Sequence, residues 1–200
     1  MRRLAPLVVA LLVSACSTFQ GAPPMARSYR LTYPPPAPAY DRPPAGVVRV
    51  ASFSTAPVYD RLGFIYREGP YDVGVDNYNS WITAPAGMIG ELLARDLATA
   101  RVASAVLQGP SALPPDFELS GRIEEFDELD TNGCLARLRL RVLLVRVGAS
   151  GPRTPIFEEL FESEQSCTPG DPASFAEAMS LAVQDVSGQV VARVGAAGKP

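Results

Sequence analysis

Leu135-Ala136-Arg137-Leu138-Arg139-Leu140-Arg141-Val142-Leu143-Leu144-Val145-Arg146-Val147, a turn across 148–155, and then Ile156-Phe157-Glu158-Glu159-Leu160-Phe161-Glu162-Ser163-Glu164-Gln165 form the segment that decides the fold. Apolar and polar side chains alternate with period two, the mark of strands with one buried face. If Leu144 lies opposite Phe157, Leu140 meets Phe161, Arg139 meets Glu162 and Arg137 meets Glu164. Apolar pairs then share one face and opposite charges the other. Continuing that register outward places Cys134 opposite Cys167 on the apolar face, although neither cysteine entered the choice. A disulfide there closes a loop of about 33 residues and stabilises the domain by roughly 3–4 kcal/mol in the chain-entropy model. Two reduced, buried thiols are the alternative.

Upstream, 117–126 reads as a third strand, joined to 135–147 through Asn132-Gly133, a pair suited to a tight turn. Side chains alone leave the register of that hairpin open. The β-branched run Val47-Val48-Arg49-Val50-Ala51-Ser52-Phe53 reads as a core strand ending near Ala56-Pro57. Segments 62–67 and 71–76 flank Glu68-Gly69-Pro70 and predict another hairpin. The period then changes. Ile89, Leu92, Leu93 and Leu97 lie on one face of a helix over about 85–101, with Pro85 in the first turn, where its missing N–H costs nothing. A short apolar piece at 103–107 precedes the breaker Gly109-Pro110. Phe175, Met179, Ala182, Val183, Val186, Val190 and Val194 recur at three- and four-residue steps, predicting a helix over 172–194, roughly 33 Å long. The expected architecture is α+β: a two-layer domain, 47–195, with a mainly antiparallel sheet packed against two helices and a flexible tail at 196–200.

Met1-Arg2-Arg3 leads into the apolar run Leu4 to Val13, closing on Val13-Ser14-Ala15-Cys16. The run is about half the length needed to span a bilayer, so it reads as a signal peptide, 1–15, rather than a permanent span. Small residues ahead of Cys16 resemble a lipobox, which makes Cys16 the lipidation site and acyl chains the membrane anchor. The plainer alternative is a secreted protein with a chance cysteine near its cleavage site. Ser17 stands where an aspartate marks inner-membrane retention in enterobacterial lipoproteins, so the expected location is the outer membrane, facing the periplasm. That compartment is oxidising, which favours the Cys134–Cys167 disulfide. Eight of the prolines fall within 17–46, so 16–46 reads as a lipidated, proline-rich tether, with 29–33 adding a short edge strand. At about 3.1 Å per residue, 34–46 alone would extend on the order of 40 Å.

The formal charge of −3 becomes more negative once Arg2 and Arg3 are removed. That balance argues against nucleic acid and against electrostatic docking on anionic headgroups. Glu124, Glu125, Asp127, Glu128 and Asp130 crowd one strand and turn, and paired carboxylates can perform acid–base work. A charged strand edge that discourages aggregation is the plainer reading. With no histidine, no Gly-Xaa-Ser-Xaa-Gly elbow and no phosphate loop, neither an enzyme nor a cofactor is expected. A single pair of free cysteines also makes a metal site unexpected.

Several segments together carry a family resemblance. Cys16 with its proline-rich tether, Tyr29-Arg30-Leu31, Val48-Arg49-Val50-Ala51-Ser52-Phe53 and Phe64-Ile65-Tyr66-Arg67 resemble the ABC-type transport auxiliary lipoproteins, the PqiC-like family. Asn79-Ser80-Trp81-Ile82-Thr83-Ala84-Pro85 is similar to the family's tryptophan-and-proline segment, although Thr83 and a lone Pro85 replace its acidic residue and second proline. The resemblance implies a non-enzymatic component at the outer-membrane end of an ABC/MCE-type system that moves lipid or another hydrophobic compound. Its implied partners are an MCE-domain protein and, through it, a permease and an ATPase. Trp81 and Pro85 then become candidate interface residues, with a core tryptophan pinning the helix start as the plainer reading. A homo-oligomer and direct lipid binding stay open. The alternative from another class is a structural or regulatory envelope lipoprotein acting on a cell-wall synthase or an outer-membrane assembly partner.

Overall fold

The computed structural model describes residues 25–131, 133–148 and 152–198. The signal peptide, Cys16, Asn132 and the centre of the 148–155 turn therefore lie outside the described residues. Strands β1 (Arg27–Tyr29), β2 (Ala45–Val50), β3 (Ser54–Thr55), β4 (Gly63–Arg67) and β5 (Val73–Trp81) precede helix α1 (Pro85–Thr99). Then come β6 (Ala103–Gln108), β7 (Phe117–Leu129), β8 (Cys134–Arg146), β9 (Thr154–Cys167) and helix α2 (Pro172–Ala197).

The β8–β9 hairpin takes the register that its side chains predict: Leu144 opposite Phe157, Leu140 opposite Phe161, Arg139 opposite Glu162 and Arg137 opposite Glu164. Even-numbered residues of β8 from Cys134 to Leu144 are buried, so the alternation maps onto a covered and an open face. A register shift follows Leu144. At the other end Cys134 and Cys167 are joined in a disulfide with their Cα atoms 4.9 Å apart. Replacing both cysteines by serine should lower the unfolding free energy by roughly 3–4 kcal/mol, the chain-entropy value for this loop. Urea melts of the oxidised wild type and the double variant measure it, and coincident curves would remove the disulfide from the stability argument.

Strand β7 pairs with β8 along its whole length, from Phe117 opposite Arg146 to Leu129 opposite Leu135, with a bulge between Ile123 and Glu125. Because of the bulge, no single alternating register runs through this hairpin. The other edge of β7 is shared by three short strands running parallel to it: β2 at 117–119, β3 at 122–123 and β4 at 128–129. The sheet is consequently mixed. Hairpins β4–β5, β7–β8 and β8–β9 supply most of the paired residues in antiparallel fashion. Strand β6, the apolar piece at 103–107 in the sequence, adds in parallel to β2 at the sheet margin.

Both helices bury apolar stripes. Ile89, Leu93 and Leu97 of α1 and Phe175, Met179, Ala182, Val183, Val186, Val190 and Val194 of α2 are buried in one core. Asp171 caps α2 by accepting from the Ala173 N–H, and Pro172 occupies its first position. The last helix runs to Ala197, three residues beyond the end that its apolar stripe predicts. Gly195 contributes by having no side chain: a Cβ there would run into the Tyr40 hydroxyl.

Tyr40 belongs to a segment whose placement differs from expectation. Residues 29–45, read as part of the projecting tether, are laid across the helices as a strap. Leu31 and Tyr33 are buried. The Thr32 N–H donates to Ser180 Oγ, the Ala39 N–H to the Ala100 carbonyl and the Ala45 N–H to the Val102 carbonyl. Extended proline-rich chain satisfies none of its own backbone groups. Where it carries large apolar side chains, burying them against the helices is favourable, and those three N–H groups find partners there. The short strand expected at 29–33 forms slightly earlier, as β1, parallel to β5 with Arg27 opposite Asn79 and Tyr29 opposite Trp81.

Candidate functional site

Trp81 ends β5 and is 2% exposed, its ring centroid 4.5 Å from Phe64, 5.2 Å from Phe126 and 5.9 Å from Phe175. Pro85 is buried at the start of α1. Neither presents a surface to a partner, which corrects the interface expectation for both. Their segment closes β5 against α1, and an indole this large is most favourably placed among other rings. The exposed apolar residue of the segment is Ile82, at 64%.

The acidic strand resolves into individual ion pairs on the sheet face away from the helices. Asp127 is fully buried; Tyr59 donates its hydroxyl to it at 2.7 Å, and Arg67 Nε lies 2.6 Å away. That arginine contact is an ion pair without an aligned hydrogen bond. Glu125 sits among Arg137 at 2.7 Å, Arg139 at 3.4 Å and Arg67 at 3.6 Å, and Glu124 pairs with Arg141 at 2.6 Å. These carboxylates act as counterions for the arginines of β4 and β8. Glu128 lies beside the disulfide, its carboxylate and the two sulfurs within 4.8 Å of one another. With both sulfurs covalently joined, Glu128 is the sole remaining donor of that group. Burial, reinforced by Asp130 and Asp76, raises its pKa.

Burial pushes the Asp127 carboxyl up to about 6, against the opposing pull of the Tyr59 hydroxyl and the Arg67 guanidinium. A folded-state pKa above the unfolded value means that folding takes up a proton between about pH 4 and pH 6. The stability contributed by this group is full below about pH 4 and is lost as pH rises through about 6. The difference in unfolding free energy between wild type and Asp127→Asn should therefore fall across that window by no more than about 3 kcal/mol. Denaturant melts at half-unit pH steps read it. A difference that rises with pH would mean that the arginine, not burial, controls the carboxyl.

A second buried carboxylate ties the strap down. Asp96 on α1 accepts the Tyr33 hydroxyl at 2.8 Å and the Ser187 hydroxyl of α2 at 2.6 Å, and Arg95 lies 2.8 Å from its other oxygen. Arg95 also donates to the Tyr33 carbonyl and stacks over the Tyr33 ring. Strap and both helices thus meet at one anion. The sequence carried a signal for this: Asp96 falls three residues after Leu93 and next to Leu97, inside an apolar stripe. Ser187 interrupts the stripe of α2 in the same way. A carboxylate at a buried helix position needs partners, and those partners lie on other elements.

Two further features lie on the surface of the described residues. An open groove of about 630 Å³ runs between the end of β2, the first turns of α1 and the turn after β6, bordered by Phe53, Gly87, Glu91, Gln108 and Pro110. Exposed apolar side chains gather around the β4–β5 hairpin: Leu62, Tyr71, Val73 and Tyr78, with Ile82 just beyond β5. Among the described residues no helix is long and apolar enough to cross a membrane.

A family model described as the ABC-type transport auxiliary lipoprotein component matches residues 29–191. No curated protein matches the sequence. Among solved structures, a Xanthomonas campestris protein aligns with a TM-score of 0.76 at 19% identity, over 86% of this chain and 97% of that one. An uncharacterised protein aligns at 0.66 and 12% identity, covering 85% and 99%, and a hypothetical protein from Chlamydia trachomatis at 0.53 and 16%, covering 77% and 98%. At these identities the likeness is one of fold.

Proposed function

We propose, from the premise that the chain belongs to the ABC-type transport auxiliary lipoprotein family, that it is a non-catalytic accessory subunit anchored through Cys16 in the outer membrane and facing the periplasm. There it receives the MCE-domain protein of a system that moves lipid or another hydrophobic compound, while a permease and an ATPase at the inner membrane supply the driving force. The observation that carries this reading is the extent of the family match: residues 29–191 include the strap, strands β2 to β9, α1 and most of α2. The carboxylates agree with an accessory role. Glu124, Glu125 and Asp127 are paired with arginines, and Asp127 has no access to solvent for proton exchange with a substrate.

Crosslinking in intact cells, with mass spectrometry of whatever is attached, tests the partner. An MCE-domain protein is the expected product. Crosslinks confined to a cell-wall synthase or an outer-membrane barrel would replace the transport reading with a regulatory or assembly role. The anchor is tested separately: Cys16→Ala should release the protein from the membrane fraction, and undiminished retention would refute lipidation at that residue.

A further inference from the structure

We propose that the β4–β5 turn, with Tyr71 at its tip, is a second membrane contact, resting on the headgroup surface of the zwitterionic bilayer that holds the anchor. This inference rests on the acylation of Cys16 proposed above.

Leash length is the first support. Because the strap is packed from Tyr29 onward, little of the proline-rich segment is left to act as a spacer. From Cys16 to Met25 there are about nine residue steps, at most roughly 32 Å of extended chain. The second support is direction. β1 runs parallel to β5 with Arg27 opposite Asn79, so the chain preceding β1 heads toward the end where β5 begins. Val73, the first residue of β5, pairs with Arg67 while Ser80 pairs with Gly63, so the hairpin extends four residues of β4, roughly 13 Å, further in that direction. Met25, which leads into β1, is 81% exposed. The described chain entering β1 and the hairpin therefore point the same way, which puts the turn on the side of the domain from which the anchor is reached.

The third support is surface chemistry. Tyr71 is 97% exposed, and Val73 and Tyr78 are also exposed on the strand that follows. Nothing lies within 4 Å of where a Cβ on Gly69 would sit, so the turn is open to solvent. Tyrosine, with an apolar ring and a polar tip, favours the headgroup level of a bilayer. Glu68 and Asp72 flank the tip, and Asp76, Glu128 and Asp130 lie at the same end of the sheet. Those charges specify a zwitterionic rather than an anionic surface and limit the contact to a shallow one. Attachment through Cys16 compensates for shallowness, because a short leash raises the effective concentration of the turn at the membrane.

The test uses the full lipidated chain, reconstituted into phosphatidylcholine–phosphatidylethanolamine vesicles that carry a headgroup nitroxide. A fluorophore is attached at Gly69→Cys or, as a control at the opposite end of the sheet, at Ala112→Cys. Flotation with the vesicles reports the anchor, and quenching reports the contact. The expected result is strong quenching at 69 and little at 112. Tyr71→Ser should remove most of the difference without changing flotation, and anionic lipid should weaken the quenching at 69. Equal quenching at both positions in chains that float would overturn the contact while leaving the anchor intact. Chains that fail to float would overturn the anchor, and the contact with it.

Discussion

Trp81→Ala should lower the stability of the domain by about 3–5 kcal/mol, the usual cost of deleting a fully buried large aromatic. The indole stands among Phe64, Phe126 and Phe175, rings contributed by β4, β7 and α2. Removing it opens a cavity where three elements converge, and a cavity walled by strands on one side and a helix on the other collapses only in part. Trp81→Phe keeps most of the packing and should lose far less. Urea unfolding of the two variants gives the comparison. A variant Trp81→Ala of wild-type stability that no longer crosslinked to its partner would return the tryptophan to the surface role that its burial argues against.

Asp96→Ala should cost about 2–6 kcal/mol, because it orphans the buried hydroxyls of Tyr33 and Ser187 at roughly 1–3 kcal/mol each. Arg95, partly exposed, turns to water and adds little. The loss should also be localised. Amide exchange at Thr32, Ala39 and Ala45, whose N–H groups are bonded to Ser180, Ala100 and Val102, should accelerate more than exchange in β8. Tyr33→Phe, which removes one donor and keeps the ring, should show a weaker form of the same pattern. Uniform acceleration across β8 and the strap would mean that the carboxylate supports the whole core rather than the strap.

Some of the candidate surface was hidden in the sequence for a definite reason. Tyr71 sits between Pro70 and Asp72 in an ordinary turn, and its importance depends on where the chain from Cys16 arrives. That arrival point follows from β1 pairing with β5 across about fifty residues, which no local pattern encodes. Trp81 was ambiguous in the opposite sense. A single tryptophan before a helix suits a core plug, the plainer reading, and also an interface anchor, until its neighbours are known.

The sequence by itself determined the two helices, the β4–β5 hairpin, and the β8–β9 register together with its Cys134–Cys167 pairing. Each follows from a period of two or of 3.6 residues, or from opposed charges across a short turn, and these are local properties. Only the tertiary structure decided that β2, β3 and β4 share one edge of β7 in parallel, that 29–45 is a strap rather than a spacer, and that Trp81 is buried. Those outcomes depend on which backbone edges and which buried polar groups find each other across long separations. A side-chain pattern states that a face or a carboxylate must be covered, and the packed fold selects what covers it.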